Sequence, residues 1–234
     1  MTSLTTATAS TIGRRYDANY DVAHLTETPL RAVVADGMGD GPGSARAGRT
    51  AVDTFVELAG EGPAGIRAAV AEAQRRVGAI GRELGGLAGC TLTALVETPS
   101  GCWIAQVGDS RVYRLRGNLL ELLTVDHTAA WLGAVHGWYA FDSPQAAAAR
   151  YRLTRYIGHP DEPEPDVLHV APRPGDVFLL CTDGIAEQVT YQRIQEILTP
   201  RTEPKAMADQ LVAAADGAGG KDNATAIVAV VDSL

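Results

Sequence analysis

Four aspartates stand in turn-like contexts along the chain: Asp36 in VVADGMG, Asp109 in QVGDSRVY, Asp183 in FLLCTDGI and Asp222 in KDNATAIV. Each adjoins an apolar or β-branched run, which predicts a position at a strand end. Carboxylates brought from distant strand ends to one sheet edge would form a set of hard oxygen ligands suited to Mg2+ or Mn2+. Glycine beside such an acid lets the main chain approach an ion or its water without a side chain in the way. Two cations held there could orient a water for in-line attack at phosphorus and offset charge on the phosphoryl oxygens, with no phosphoenzyme needed. Taken singly, an Asp-Gly pair is as well explained as a turn whose Asp accepts main-chain hydrogen bonds. The order and context of the four together carry the signal.

The elements that must position these acids are read from periodicity. Residues 30–35, LRAVVA, predict a buried strand that ends at Asp36. Ala47, Ala51, Phe55 and Leu58 recur at helical spacing, predicting a helix over 44–58 with Ser44 as its cap. A second helix is expected from Pro63, carrying Ile66, Ala69, Val70, Ala73, Val77 and Ile80 on one face. Strands follow at 91–96, 102–107 and 111–116, and the last two, joined by Gly108, Asp109 and Ser110, have the length and turn content of a hairpin. NLLELLTVDHT predicts a further short strand, and residues 129–150 a helical excursion broken near Asp142 to Pro144. After the acidic, proline-rich connector 159–166, an apolar strand reaches Asp183, two helices end before GAGGKDN, and ATAIVAVVDSL predicts a final strand. Clustered strands with helices set apart favour antiparallel sheets covered by helices over a βαβ series.

Composition bounds the alternatives. The 234 residues are 46% hydrophobic and 21% charged, which fits one folded unit rather than an acidic disordered chain. A net charge of −8 and scattered arginines argue against nucleic acid as a partner. No apolar run approaches the roughly 20 residues that span a bilayer, so no membrane association is expected. Cys90, Cys102 and Cys181 are widely spaced and odd in number, consistent with reduced core groups in a cytoplasmic protein. Residues 1–11, rich in Thr and Ala, predict a flexible tail. His24, His127, His136, His159 and His169 form no HExxH or other close ligand cluster, and no GxSxG or nucleotide-binding glycine loop is present.

The ordered segments VVADGMG, QVGDSRVYRL, FLLCTDGI and KDNATAIVAVV, with LTVDHT at 123–128 and GCT at 89–91, resemble the metal-dependent protein phosphatase family, type 2C, in its compact bacterial form. The resemblance covers residues 12 to 231. It implies an α+β fold in which two facing antiparallel β-sheets are flanked by helices, a four-layer αββα sandwich. It also implies one catalytic domain over 12–234, with a flap near 129–157. Asp36, Asp183 and Asp222 would be the catalytic acids and, with the Gly37 carbonyl, would hold two Mg2+ or Mn2+ ions. Asp21 would lie in the water shell, and Asp109 would supply an additional, weaker metal site for a third ion. Asp126, His127 and Asn223 would be structural neighbours. The implied activity is hydrolysis of phosphoserine and phosphothreonine esters on a phosphorylated protein, by a monomer.

The chain departs from the family pattern at three places. Tyr16 stands where the family presents an arginine five residues before Asp21, and Tyr20 where an acid is common. Arg14 or Arg15 could meet the phosphate instead, or both could solvate the start of the fold. DGPGSA at 40–45 places Asp40 and Gly41 where relatives carry Gly-His, leaving no histidine there as proton donor. In the flap, Trp131, Trp138, Tyr139 and Phe141 are expected mainly to pack onto the core, with recognition of a phosphoprotein as the other use. These departures also admit a noncatalytic interaction module built on the same fold.

Overall fold

The computed structural model describes residues 3–99 and 101–233. Among them, the apolar runs assemble into two five-stranded antiparallel sheets. In one sheet the order is β1 (Ser3–Thr11), β10 (Ala224–Ser233), β9 (Val177–Cys181), β6 (Arg111–Arg116) and β7 (Leu119–Leu122). In the other it is β2 (Val22–Glu27), β3 (Leu30–Ala35), β4 (Leu92–Thr98), β5 (Gly101–Val107) and β8 (Asp166–Val170). Their facing surfaces bury Leu30, Val34, Leu95 and Ile104 against Val112, Phe178, Leu180 and Ile227. Each such large side chain, fully withdrawn from water, contributes about 2 kcal/mol to holding the sheets together.

Helices cover both outer faces. On the second sheet, α1 (Pro42–Leu58) and α2 (Gly62–Leu84) bury Phe55, Ile66, Val70 and Val77 over Val33, Ala94 and Val107. On the first, α5 (Asp183–Ala186), α6 (Tyr191–Leu198) and α7 (Pro204–Gly217) bury Ile185, Ile194, Leu198 and Leu211 over Leu179 and Val228. The result is the four-layer αββα sandwich with the sheets inside. Among the described residues, no helix is long and apolar enough to cross a membrane.

Several local expectations change. The expected flexible tail over 1–11 is, over Ser3–Thr11, an edge strand in register with β10 from Leu4↔Val231 to Thr11↔Ala224; residues 1 and 2 lie outside the described residues. Its partner is more than 200 positions away, so nothing local in a Thr/Ala run announces the pairing. The expected hairpin at Gly108 to Ser110 is a crossing between sheets, because β5 pairs with β4 and β8 while β6 pairs with β9 and β7. Gly108 makes that crossing at φ +110°, where a Cβ would lie 2.6 Å from Thr91 Cγ2. Helix α1 begins at Pro42, two residues early, and the Ser44 hydroxyl donates to the Met38 carbonyl at 2.5 Å instead of capping the helix.

The flap contains two short helices, α3 (Ala129–Val135) and α4 (Pro144–Ala149), capped by the Thr128 and Ser143 side chains. Of its aromatics, Tyr139 packs inward, its hydroxyl donating to the Ala129 carbonyl at 2.5 Å. Trp131, Trp138 and Phe141 are exposed, so the packing expected for them is not what holds the flap. The flap is fastened instead by polar contacts, among them Arg150 to Glu187 at 2.8 Å and the bridge between Thr128 and Leu153. All three cysteines are free and buried, and burial pushes the Cys102 and Cys181 thiols up to about 12.

Candidate metal centre

Antiparallel pairing gathers the acids at one edge of the sandwich. Val22 pairs with Ala35, which puts Asp21 beside Asp36; Cys181 faces both Arg111 and Ala226, which brings together the ends carrying Asp109, Asp183 and Asp222. Asp36, Gly37, Asp109, Asp183 and Asp222 share the lining of one cleft of about 540 Å³ with Arg15, Tyr16, Tyr20, Met38, Thr91, Tyr151 and Asn223.

Close main-chain contacts set each acid in place. Thr91 accepts from the Asp36 N–H at 2.9 Å through Oγ1 and donates its own N–H to the Asp36 carbonyl at 2.9 Å. The Thr91 hydroxyl also pairs with the Ser110 hydroxyl at 2.8 Å, tying the Asp36 turn to the Asp109 loop. Gln106 holds that loop from behind, donating to the Gly108 carbonyl at 3.1 Å. At Gly184, an added Cβ would meet the Asn223 carbonyl at 1.9 Å, so Asp183 and Asp222 lie on main chains that touch. Asn223 accepts from the Tyr20 N–H at 2.7 Å and donates to the Ile12 and Ala18 carbonyls at 2.8 and 3.1 Å. One amide side chain thereby fixes the segment that carries Arg15 and Tyr16 over the cleft.

The remaining expected residues separate by role. Asp21 is set back from the cleft lining, with Oδ2 accepting from the Thr182 hydroxyl at 2.8 Å. Arg14 is turned away to an exposed bidentate pair with Asp216, whereas Arg15 lines the cleft with its guanidinium 4.9 Å from the Tyr16 ring centre. Asp126 pairs with Arg111 at 2.6 Å, and His127 is buried behind the Asp109 loop. Tyr20 donates to the Asp40 carbonyl at 2.6 Å, closing the altered turn after Gly39. The two tyrosines seen as departures thus shape the cleft wall. Thr91 and Tyr151 are not among the expected site residues; Thr91 belongs to the GCT segment, and Tyr151 lies within the flap expected near 129–157.

The electrostatics of this edge are those of crowded like charges. Burial, then Asp183, Asp21, Asp109 and Asp222, raise Asp36 well above the usual carboxylate range. Burial likewise raises Asp109 well above it, with Asp183 and Asp126 adding and Arg111 opposing. Burial lifts Asp21 to about 7 against the Thr225 and Thr182 hydroxyls, and burial with Asp222 lifts Asp183 to about 6 despite a hydrogen bond to Asp36. Asp222 is raised by burial, opposed by the Asn223 N–H and Arg15. The buried Oδ1 atoms of Asp21 and Asp183 have no hydrogen-bond partner. Unpaired carboxylate oxygens amid other acids are costly unless cations balance them, so this donor set fits hard divalent ions. Among the described residues, no three His, Cys, Asp or Glu side chains form a closed ligand group.

Comparison with known proteins identifies the family and the fold. A family model described as Protein phosphatase 2C matches residues 14–213. The serine/threonine phosphatase stp of Listeria monocytogenes is 31% identical over 140 residues, covering 60% of this chain and 56% of the relative, so the match spans little more than half of that protein. The crystal structure of the PPM Ser-Thr phosphatase MsPP from Mycobacterium smegmatis, in complex with cacodylate, is 29% identical with a TM-score of 0.87, over 100% of both chains. The catalytic domain of the serine/threonine protein phosphatase PstP, in complex with 2 manganese ions, is 29% identical with a TM-score of 0.85, over 98% of this chain and 99% of that one.

Proposed function

Because the chain belongs to the protein phosphatase 2C family, we propose that it hydrolyses phosphoserine and phosphothreonine esters on a protein substrate, using Mg2+ or Mn2+. The observation that carries this reading is the convergence of Asp36, Asp109, Asp183 and Asp222 on one cleft. Asp36, Asp183, Asp222 and the Gly37 carbonyl would hold two ions, Asp21 would reach them through water, and Asp109 would offer a weaker third position. When bound, such ions lower the pKa of water and balance charge on phosphoryl oxygens.

The protein's own groups divide the remaining work. Arg15 is the cation in the cleft lining, placed on Tyr16 so that its planar donors can meet phosphoryl oxygens. Arg14, committed to Asp216, anchors the segment. Tyr16, Tyr20 and Tyr151 form a partly apolar rim that narrows the approach of bulk water. Among the described residues, no histidine lines the cleft, so the proton for the departing alkoxide would come from water or from another acid.

The test is phosphopeptide hydrolysis by the purified full chain with Mn2+, lost on chelation and restored by added metal. Asp36→Ala and Asp183→Ala should each reduce turnover by about a thousandfold or more while far-ultraviolet circular dichroism stays near native. Full activity in both variants would overturn the mechanism. The second reading, a noncatalytic interaction module, rests on the closure of the altered turn by Tyr20 against Asp40. It would be favoured by Mn2+ binding without turnover across a varied phosphopeptide panel.

A further inference from the structure

His127 makes bonds in two directions that none of the metal-centre chemistry requires. On one side its ring Nδ1 accepts from the Gly108 N–H at 3.1 Å, and its own N–H donates to the Gly108 carbonyl at 3.0 Å. Gly108 immediately precedes Asp109 at the crossing between the sheets. On the other side, the His127 carbonyl accepts from Thr154 N–H at 2.8 Å, at the return of the flap. With Nδ1 accepting, the ring proton sits on Nε2, which faces Asp166 Oδ2 at 3.1 Å. Arg155, also in the flap return, donates to the other oxygen of Asp166 at 2.8 Å.

We propose that His127 is a positioning residue that couples the flap to the loop carrying Asp109. Its imidazole bridges Gly108 to the Asp166–Arg155 pair, and its peptide bridges Gly108 to Thr154. The ring is 6% exposed, so no water competes freely for either nitrogen. Burial lowers the pKa of His127, against the pull of Asp166, and this keeps Nδ1 free as an acceptor near neutrality. A displacement of the flap return is thereby transmitted to Gly108, which packs so closely on Thr91 that a Cβ there would lie 2.6 Å from Thr91 Cγ2. Thr91 in turn grips the Asp36 turn, so the path from the flap reaches both halves of the acidic edge. The consequence for turnover rests on the phosphatase reading above; the coupling itself does not.

Three variants of the full chain separate coupling from ordinary core support. In His127→Asn the amide oxygen lies near the place of Nδ1 and retains the acceptor for Gly108. In His127→Gln the amide lies nearer the place of Nε2, retaining Asp166 and losing Gly108. Asp166→Ala removes only the partly exposed partner, 55% exposed, and leaves the core intact. Hydrogen–deuterium exchange in chelator, followed on peptides spanning 105–111 and 150–157, reads the two ends separately. His127→Gln should speed exchange in 105–111 about fivefold, the factor that corresponds to loss of one ordinary hydrogen bond, while His127→Asn, which keeps the Gly108 acceptor but loses Asp166, should speed that peptide less, to the extent seen in Asp166→Ala. Asp166→Ala should speed exchange in both peptides. In a parallel Mn2+ titration by calorimetry, His127→Gln should weaken the weakest binding event several-fold, and His127→Asn should weaken it less. Equal acceleration throughout the chain in both His127 variants, or an Asp166→Ala effect confined to 150–157, would overturn the coupling. The expected exchange pattern across the variants, with no metal-dependent turnover in the wild type, would defeat the phosphatase reading and leave the coupling supported.

Discussion

Replacing Asp183 by Asn should stabilise the metal-free protein while removing the proposed phosphatase activity. Asp183 sits at about 6 against an ordinary 3.8, a rise of about two units caused by burial and the neighbouring Asp222. At about 1.36 kcal/mol per unit, its charge costs the folded state up to about 3 kcal/mol when pH is well above 6. The side chain retains some exposure to the cleft and an asparagine amide there would be only partly bonded, so a net gain of about 1–2 kcal/mol is expected. For a chain of this size that is about 3–6 °C in Tm. The sign follows from the raised folded value: protonated Asp183 favours folding fully below 3.8, and that contribution disappears as pH climbs through about 6. Thermal unfolding in chelator should therefore show the variant ahead of wild type at pH 8, with the gap about halved by pH 5 and closing only below 3.8. Adding Mn2+ should reverse the order, because wild type gains RT ln(1 + [L]/Kd) and the variant loses much of that gain. A variant no more stable than wild type in chelator at pH 8, or a gap independent of pH, would refute the account of this edge as uncompensated charge.

Two further outcomes test the placement of main chain and cations. Gly184→Ala puts a Cβ within 1.9 Å of the Asn223 carbonyl and should cost more than about 3 kcal/mol, seen as a large fall in Tm together with weakened Mn2+ binding; an alanine variant with wild-type Tm would show that the two loops are not in contact. Arg15→Ala should raise KM for a phosphopeptide about tenfold or more and relieve inhibition by inorganic phosphate with Tm unchanged, whereas Arg14→Ala should lower Tm slightly and leave KM alone. Identical kinetic effects from the two arginines would remove the distinction drawn between them.

The sequence was most informative where local patterning and chemistry coincide. Asp36, Asp109, Asp183 and Asp222 could be picked out because each stands where an apolar run meets a turn, and a strand end is where a sheet presents its side chains to one edge. Helix α2 was equally plain, since its buried Ile66, Val70, Val77 and Ile80 follow a single helical stripe. The strands β1, β2 and β8 are not legible in the sequence. β1 is short on large apolar groups and owes its existence to a partner at the other end of the sequence, and β8 leaves Leu168 and His169 exposed. The turn at Gly108 illustrates a different limit, because a hairpin and a crossing between sheets use the same residue types. Only the neighbours available to β5 and β6 decide between them. Likewise, that Arg15 faces the cleft while Arg14 does not depends on Asp216, more than 200 residues away.

The concealment of Cys90, Cys102 and Cys181 opens a practical route to watching the flap. With burial lifting the Cys102 and Cys181 thiols to about 12, only about one in ten thousand of either is ionised at pH 8, and Cys90 is pushed up by burial as well. A maleimide dye or nitroxide added to the native chain should find almost nothing to react with. Trp138→Cys, at a flap position 69% exposed, would then be the sole fast-labelling thiol, so fluorescence or spin-echo distances to a second engineered cysteine could follow flap movement in an otherwise wild-type background.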